Sequence, residues 1–568
     1  MKILLLNKGI PAVRPLSHKV RNLSLRKKFM IVGAKNKLLM PMAVFLMLPW
    51  LFFAQYEEEQ VAEGSFLINM GIVPQNFGNA LKPYGLIYEL LEKEPVEIKW
   101  VINPEKKKDG IDFVHDSVQY RGGTFVIPVS YINPQVKQRI ESWIKKGVIG
   151  DFSDKNLRLP VFTTLSIAPK WTLDKQNGNI ALPFFKAAGI PAEAHGGDSS
   201  AQWKSPEELG VCDDIFVMPH AEPKFSTHQN LYYWNQDFKG AIWAGCHAGS
   251  QLENLLGPVK PSEATENGII QLNFLSSGFA GASSAGLIPF YEHRHATPPY
   301  THRLPADPVS QYMGSCDEAH LNGSERVFYP KAINLWRPGT RKIVVDESAP
   351  DNPELTKGEA AVVVYGHGFD NPDNGLVMYQ AAHSIYGDKE ANVAAMRAFF
   401  NWSFYAAEIK RRENIIKFED NASGESIVAA RVGDDLAKLM QLRNILFDLD
   451  KAEIRAEAKE ELDRIVKFMK EFPELLLDIR SHTDCRADDI YNLKLSEDRV
   501  EATINYLVNH GIRAKRISGR GYGETEVLNE CINGIPCSEK KHEVNRRSEF
   551  ILSVDCRVYS AKLKQSTK

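Results

Sequence analysis

Residues 475–512 read LLLDIRSHTDCRADDIYNLKLSEDRVEATINYLVNHGI, and this stretch decides the fold of the last part of the chain. Its opening residues, 475–484, are an apolar run that ends in polar residues, which predicts a strand. Apolar residues then recur at helical spacing over residues 490–509: Leu493, Leu495, Val500, Ile504 and Leu507. Gly511 follows as a helix stop. The stretch therefore predicts a strand, a polar turn and an amphipathic helix.

The segments on either side extend this pattern. NILFDLD at 444–450 predicts a strand, and RAEAKEELDRIVKFMKEF at 455–472 predicts a helix with one apolar face. RISGRGYGE at 516–524 and RSEFILSV at 547–554 predict two further strands. The order β-α-β-α-β-β indicates a compact α+β domain, which we place at residues 436–557.

Charged residues in this domain are arranged as if to bind a zwitterion. Asp484 lies where the second strand ends, Asn492 begins the second helix, and Arg499 lies two helical turns further on. Residues 492 and 499 share one helix face. A carboxylate beside a guanidinium can bind an ammonium and a carboxylate of one ligand. The alternative is that Asp484 and Arg499 form a structural salt bridge with each other.

Five segments of this region resemble the OmpA-like peptidoglycan-binding domain. They are FDLDKAEI (447–454), SHTD (481–484), YNLKLSEDRVEATINYLVNHGI (491–512), GRGYGE (519–524) and NRRSEF (545–550). The resemblance implies that Asp484 and Arg499 bind the diaminopimelate of the peptidoglycan stem peptide. It implies weaker contributions from Asn492, Asp448 and Arg546. It also places the protein at the cell outer membrane or in the periplasm, where other envelope proteins are further candidate partners.

Two features depart from the commonest pattern of that family. Cys485 directly follows the SHTD motif, and Cys531 and Cys537 bracket a turn-rich insertion, INGIP. The insertion is similar to versions found in the Bacteroidetes. An exported chain meets an oxidising compartment, so the spacing predicts a Cys531–Cys537 disulfide, with two free thiols as the alternative.

The first residues of the chain predict export. Residues 1–37 carry ten Lys or Arg and no acidic residue, and residues 38–56 are apolar and uncharged. This layout predicts a signal peptide or a retained signal anchor over residues 1–54. The whole chain of 568 residues has a formal charge of −2. That balance gives no electrostatic reason to expect nucleic-acid binding.

The region at 64–412 contains short apolar runs that end in small or polar residues. VEIKWVINP, GGTFVIPVSY, DDIFVMPHAEP, GAIWAGCHAG, AAVVVYGHG and GLVMYQAAH are the clearest of these. Strands buried on both faces and separated by helices are typical of parallel sheets. The sequence therefore predicts an α/β domain with a mainly parallel sheet at 64–412, joined to residues 436–557 by a linker at 413–435.

One run in this region has the shape of a nucleophile elbow. AIWAGCHAGSQLENLL at 241–256 predicts a strand, a corner of small residues around Cys246 and a helix. A thiol at such a corner is exposed near a helix N-terminus, which predicts a lowered thiol pKa. His383, which follows another apolar run, is the candidate base. The arrangement is weakly similar to the class I glutamine amidotransferase-like fold, including its ThuA-like branch. The elbow reads GCHAG instead of GxCxG, and Ser384 and Tyr386 stand where that family has Pro and Glu, so no third catalytic residue is assigned.

Several other polar residues lie near predicted strand ends. They are His220, His247, His367 and His383, with Asp213 and Asp214. Their spacing matches no compact ligand motif, so the sequence predicts no metal and no cofactor. Two functions follow from the sequence. The first is a noncatalytic envelope protein that ties a large α/β module to peptidoglycan. The alternative is a wall-tethered Cys-dependent hydrolase or amidase that uses Cys246 and His383.

Overall fold

The computed structural model describes part of the chain. Its described residues are 57–258, 269–277, 286–288, 297–330, 335–348, 360–413, 416–418, 428–430, 433–443, 454–473 and 475–554. The predicted export segment, Asp448 and the first predicted strand of the last domain lie outside these residues. Within them, every helix is too short or too polar to cross a membrane.

The first sheet of the structure is antiparallel throughout. The strands of this region are β1 (Glu57–Val61), β2 (Phe66–Ile68), β3 (Ile98–Val101), β4 (Ile111–His115), β5 (Val118–Arg121), β6 (Thr124–Ile127), β7 (Gly150–Phe152) and β8 (Leu157–Leu165). Its helices are α1 (Lys82–Lys93) and α2 (Pro134–Lys145). Six strands form the sheet in the order β1-β8-β3-β6-β2-β7, and β4 pairs with β5 as a separate hairpin. Asn133 caps α2 by accepting a hydrogen bond from the Val136 N–H at 2.9 Å.

The second sheet mixes parallel and antiparallel pairing. The strands of this region are β9 (Trp171–Leu173), β10 (Ile215–Met218), β11 (Ala241–Gly245), β12 (Leu256–Pro258), β13 (Ile269–Gln271), β14 (Thr301–His302), β15 (Arg341–Asp346), β16 (Ala360–His367) and β17 (Leu376–Gln380). Its helices are α3 (Leu182–Ala188), α4 (Phe225–Asp237), α5 (His247–Glu253) and α6 (Glu390–Glu413). Seven strands form the sheet in the order β14-β15-β16-β17-β11-β10-β9.

Among the described strands of this region, parallel strand pairs are formed by four neighbouring strands. β9, β10, β11 and β17 run parallel, whereas β14, β15, β16 and β17 pair antiparallel. The prediction of a mainly parallel sheet for residues 64–412 is therefore wrong. The cause lies in the first sheet, where Trp100 and Phe125 face one hydrophobic core while Val101 and Val126 face a second, smaller one together with Tyr120 of the β4–β5 hairpin. Burial of both faces gives antiparallel strands the continuous apolar runs that are typical of parallel sheets.

Helix α6 packs between the two sheets. It contacts β8 of the first sheet and β10 and β11 of the second. Its Phe400 ring stacks on Tyr84, with centroids 5.2 Å apart, and Trp402 is fully buried. The Tyr84 hydroxyl donates a hydrogen bond to the Asn401 side chain at 2.6 Å. One continuous core therefore joins both sheets and fixes β10 and β11 in place.

The last part of the chain has its own core. Its elements are β18 (Ile416–Phe418), β19 (Val428–Ala430), α7 (Leu436–Leu439), α8 (Ala456–Glu471), β20 (Leu475–His482), α9 (Asp489–Asn509), β21 (Ile517–Gly523), α10 (Glu539–Asn545) and β22 (Ser548–Val554). Strand β20 pairs parallel with β21 and antiparallel with β22. Helices α8 and α9 and strands β20, β21 and β22 confirm the predicted elements, while α10 was not predicted. Residues from Tyr56 onward group into one compact unit, so the predicted domain boundaries remain a prediction.

Candidate functional site

The predicted ligand-binding residues of the last domain lie around the carboxyl end of β20. Asp484 follows this strand by two residues and is 7% exposed. Asn492 lies in the first turn of α9, and its amide donates hydrogen bonds to the Asp484 and Ala487 carbonyls at 3.0 and 3.2 Å. Because Asn492 is buried and its amide is engaged within the protein, it orients the loop that carries Asp484.

The Asp484 carboxylate is held by two arginines. Arg486 approaches it through Nη2 at 2.7 Å, and Arg546 approaches through Nη1 at 2.6 Å. Glu539 accepts from both guanidinium groups, at 2.9 Å from Arg486 and 2.7 Å from Arg546. We call these four residues the Asp484 network. Each charged group of the network is already ion-paired within the protein, so a charged ligand has to displace one of these pairs.

These ion pairs keep Asp484 charged. Burial alone would raise its pKa, but the hydrogen bonds from Arg486 and Arg546 lower the pKa of Asp484 to about 2. Asp484 forms its ion pairs with these arginines and not with the partly buried Arg499 of α9, so the alternative of a mutual Asp484–Arg499 salt bridge is wrong. The other arginine of the NRR run, Arg547, bonds to Glu549 at 2.8 Å instead. The structure thus places Arg546, which the resemblance implies as a weaker ligand residue, in an ion pair with Asp484, and its role towards a ligand stays a prediction.

Two members of the network escaped sequence reasoning. Arg486 lies in the loop directly after the SHTD motif, and Glu539 begins α10 just after the turn-rich insertion. In the structure Cys531 and Cys537 form a disulfide with 5.9 Å between their Cα atoms. The insertion ends at this disulfide and passes straight into α10, which presents Glu539 to both arginines. The charge of Glu539 was visible in the sequence, but its distance in the chain from Asp484 was not informative.

The second candidate site lies at the carboxyl ends of three neighbouring parallel strands. His220 follows β10, Cys246 follows β11 and His383 follows β17, so Cys246 lies between the two histidines in the sheet order. One ring nitrogen from each histidine and the cysteine sulfur all lie within 4.8 Å of one another. We call these three residues the strand-end cluster. Carboxyl ends of parallel strands are where open α/β sheets bind ligands.

The corner at Cys246 has the backbone of an elbow. Cys246 has φ 51° and ψ −144°, a conformation that residues with side chains rarely adopt. Gly245 is required just before it, since a Cβ there would lie 2.5 Å from the Pro219 carbonyl oxygen. The Cys246 sulfur lies 3.0 Å from the Ser324 hydroxyl and accepts a hydrogen bond from the Glu325 N–H at 3.3 Å. The predicted small-residue corner is thus present.

The predicted lowered pKa of Cys246 is wrong. Burial raises the pKa of its thiol, and the residue is fully buried. Burial also lowers the pKa of His220 and His383, and lowers that of His247 to about 4. The site is therefore a set of neutral groups, because the loss of water at His220 outweighs the opposing effect of Glu222, and burial dominates at Cys246 and His383 as well.

The structure does not complete a catalytic triad around His383. Its Nδ1 hydrogen bonds with the Ser384 hydroxyl at 3.0 Å, where a triad has a carboxylate. His367 lies at the opposite edge of the sheet, since it pairs with Leu376 at the start of β17. Asp213 and Asp214 precede β10 and bond to Lys204 and Lys410, at 2.7 and 2.8 Å. Of the polar residues noted near strand ends, the structure gathers only His220, His247 and His383 at Cys246 within the described residues.

Comparisons with known proteins concern the last part of the chain. The OmpA family model matches residues 446–534. The peptidoglycan-associated lipoprotein of Rhizobium meliloti is 34% identical over 108 residues, which are 19% of this chain and 58% of that protein. Outer membrane porin F of Pseudomonas aeruginosa is 31% identical over 107 residues, which are 19% of this chain and 29% of that protein.

A solved structure, that of the peptidoglycan-associated lipoprotein from Burkholderia pseudomallei, is 22% identical and covers 20% of this chain and 92% of that one, with a TM-score of 0.18. The chain spans between 14% and 58% of the length of the first curated relatives that it matches. The family match covers β20 and α9, and with them Asp484, Asn492 and Arg499. The last part of this chain carries an OmpA-like domain.

Proposed function

We propose that this protein binds peptidoglycan non-covalently through its OmpA-like domain and holds the region at 64–412 at the wall. The observation that carries the proposal is the ionised Asp484 at the end of β20, inside the stretch that the OmpA family model matches. Relatives named as a peptidoglycan-associated lipoprotein and an outer membrane porin support a location in the cell envelope. The ligand is the diaminopimelate of the stem peptide.

Binding requires an exchange of partners at Asp484. An ammonium of the ligand displaces Arg486, whose side chain is 49% exposed and so gains little from its ion pair. Arg499 binds the ligand's carboxylate. Two to four charge-assisted hydrogen bonds at roughly 1.5–3 kcal/mol each, less ordering and desolvation costs, correspond to roughly micromolar affinity for one stem. Retention at the wall then comes from many equivalent stems on one polymer.

Co-sedimentation with sacculi that contain diaminopimelate tests this proposal. The full chain in mild detergent should pellet with the sacculi, and Asp484→Asn, which keeps the shape of the side chain, should remain in the supernatant. Arg499→Ala should weaken pelleting by about tenfold or more, the value of one charge-assisted hydrogen bond. Asp498→Ala, a partly exposed acid on the same helix that pairs with Lys494, is the matched control. Wild-type pelleting by the folded Asp484→Asn variant would exclude the proposed site.

The alternative of a Cys-dependent hydrolase is less well supported by the geometry. The elbow at Cys246 and the nearby His383 favour it. The sulfur is fully buried, its thiol pKa is raised, and the Nδ1 of His383 bonds to a hydroxyl group. A nucleophile needs access to its substrate and an activated thiolate. The peptidoglycan-binding function therefore stands as the proposal.

A further inference from the structure

The strand-end cluster has the composition and spacing of a transition-metal site. His220, Cys246 and His383 come from three neighbouring strands of one rigid sheet, and their donor atoms lie within 4.8 Å of one another. Sulfur and imidazole nitrogen are the donors that Zn²⁺ prefers. Tetrahedral coordination at the usual bond lengths sets the donors roughly 3.3–3.6 Å apart, so a shift of about 1 Å would close the cluster around an ion.

Hydrogen bonds around the cluster orient its donors. The Ser384 hydroxyl bonds to Nδ1 of His383 at 3.0 Å, which leaves Nε2 of that ring for another partner. The Ser324 hydroxyl and the Glu325 N–H both contact the Cys246 sulfur. Such outer contacts are typical of metal ligands, because they fix the ring orientation and stabilise a bound thiolate.

His220 supplies an independent observation. Its Nδ1 is buried and has no hydrogen-bond partner among the described residues. Its ring meets the rings of His247 and His383 edge to face, with centroids 4.1 and 4.5 Å away. A buried imidazole nitrogen that bonds to nothing among the described residues calls for an explanation, and coordination of an ion would provide one.

Two other groups of potential ligands differ from the strand-end cluster. In the first, both ring nitrogens of His302 form hydrogen bonds within the protein, with Tyr312 at 2.7 Å and with Asp317 at 3.0 Å. In the second, Asp116 and Asp154 are exposed and share Lys155. Their donors already have partners or face water, so these two groups are explained without an ion.

We propose that His220, Cys246 and His383 bind one Zn²⁺ ion, with a fourth coordination position open to water or to a substrate. Three protein ligands and an open position are the arrangement of catalytic zinc sites. On binding, the Cys246 thiol loses its proton to solvent and the two imidazoles remain neutral. The proposal concerns the region at 64–412 and does not depend on peptidoglycan binding.

Metal titration of the full chain tests this site. Protein stripped with a chelator should take up one zinc per chain, and Co²⁺ in its place should give a sulfur-to-cobalt charge-transfer band with the intense visible bands of a tetrahedral site. Cys246→Ser should remove the charge-transfer band and weaken zinc binding by at least about tenfold, and His220→Gln should also weaken it. Cys485→Ser, which changes another buried free thiol, should bind like wild type.

A measurement on the unaltered chain guards against variants that fail to fold. Because Cys246 is fully buried, it reacts with an alkylating agent only when its surroundings open transiently. Zinc, which binds the closed site, should slow this reaction, as read by mass spectrometry, while Cys485 reacts at the same rate with and without the ion. No zinc uptake by the stripped chain, an unchanged cobalt spectrum in Cys246→Ser, or alkylation of Cys246 that zinc does not slow would each overturn the proposal. Fast alkylation that His383→Ala abolishes and zinc does not affect would support the hydrolase instead.

Discussion

The Asp484 network and the strand-end cluster both lie just beyond the carboxyl end of a strand, yet their electrostatics are opposite. At Asp484, two guanidinium groups outweigh the cost of burial and lower the pKa of the carboxyl to about 2. At Cys246, burial dominates, so the pKa of the thiol rises and the pKa values of the two cluster histidines fall. The first site stays charged and is open to solvent at Arg486. The strand-end cluster stays neutral, and its Cys246 sulfur is buried from solvent.

This contrast separates two ways of making a binding site. A paired ionic network can exchange one partner for a charged ligand at small cost, because its charges are already balanced. A neutral group of sulfur and nitrogen donors has little attraction for a charged organic ligand. It can take up a metal ion, because the ion itself brings the positive charge to the site. Perturbations should therefore affect the two sites independently, and the following experiments test that separation.

The largest effect is expected from Gly245→Ala. The added Cβ would lie 2.5 Å from the Pro219 carbonyl oxygen, so β10 and the Cys246 corner must move apart. We expect a loss of about 2–4 kcal/mol in the unfolding free energy of the region at 64–412, measured by denaturant titration. Pelleting with sacculi should not change. Gly78→Ala, whose Cβ would meet only the Asn76 side chain at 3.3 Å, is the control. Equal stability of the two variants would contradict the tight corner.

The two sites also differ in how far they could be predicted from the sequence. The pairing of Asp484 with Arg546 was not predicted, but both residues were named as candidate ligand residues through a family resemblance, because local motifs at fixed spacing carry it. Arg486 and Glu539 were not, since one lies in a loop that departs from the family pattern and the other follows an insertion. At the second site, small residues around Cys246 revealed the elbow. His220 joined it only through the order of the strands, which no local pattern specifies.

The same limit explains the error about the sheet. Apolar runs report burial of both faces, and burial does not reveal strand direction. The β4–β5 hairpin covers the outer face of β3 and β6, with Tyr120 in the core that also holds Val101 and Val126. The prediction of a lowered pKa for the Cys246 thiol was wrong for a related reason. The sequence shows that a corner exists but not that Cys246 is fully buried in it.

Acidification should destabilise the region at 64–412 before it affects the ionisation of Asp484. Burial lowers the pKa of His320 to about 4, below the value near 6.5 of an unfolded chain. Between these values the unfolded state binds a proton that the folded state does not, so stability falls as pH falls from 6.5 towards 4. His320 alone should account for a loss of roughly 2 kcal/mol at pH 5, and His247, whose pKa burial also lowers to about 4, should add to it.

Denaturant titration at pH 7 and pH 5, with a chelator present, measures this loss. His320→Gln should reduce the difference between the two pH values, whereas His510→Gln, at an exposed position, should not. Pelleting with sacculi should stay constant down to pH 4, because Asp484 ionises well below that value. An unchanged pH dependence in a folded His320→Gln protein would show that other groups are responsible.

The smallest effect is expected from Arg486→Ala, and its direction is the sharpest test of partner exchange. Arg486 occupies the carboxylate that the ligand's ammonium needs, while Arg546 and Glu539 can keep Asp484 in place without it. Removing a half-exposed competitor costs the ligand nothing and frees one side of Asp484. Binding to soluble stem peptide should therefore tighten by up to about fivefold, the equivalent of a surface ion pair of about 1 kcal/mol or less. Calorimetry with the wild-type chain, Arg486→Ala and the exposed control Arg513→Ala measures it. Weaker binding by Arg486→Ala would mean that Arg486 contacts the ligand itself, and the exchange would then have to occur at Arg546.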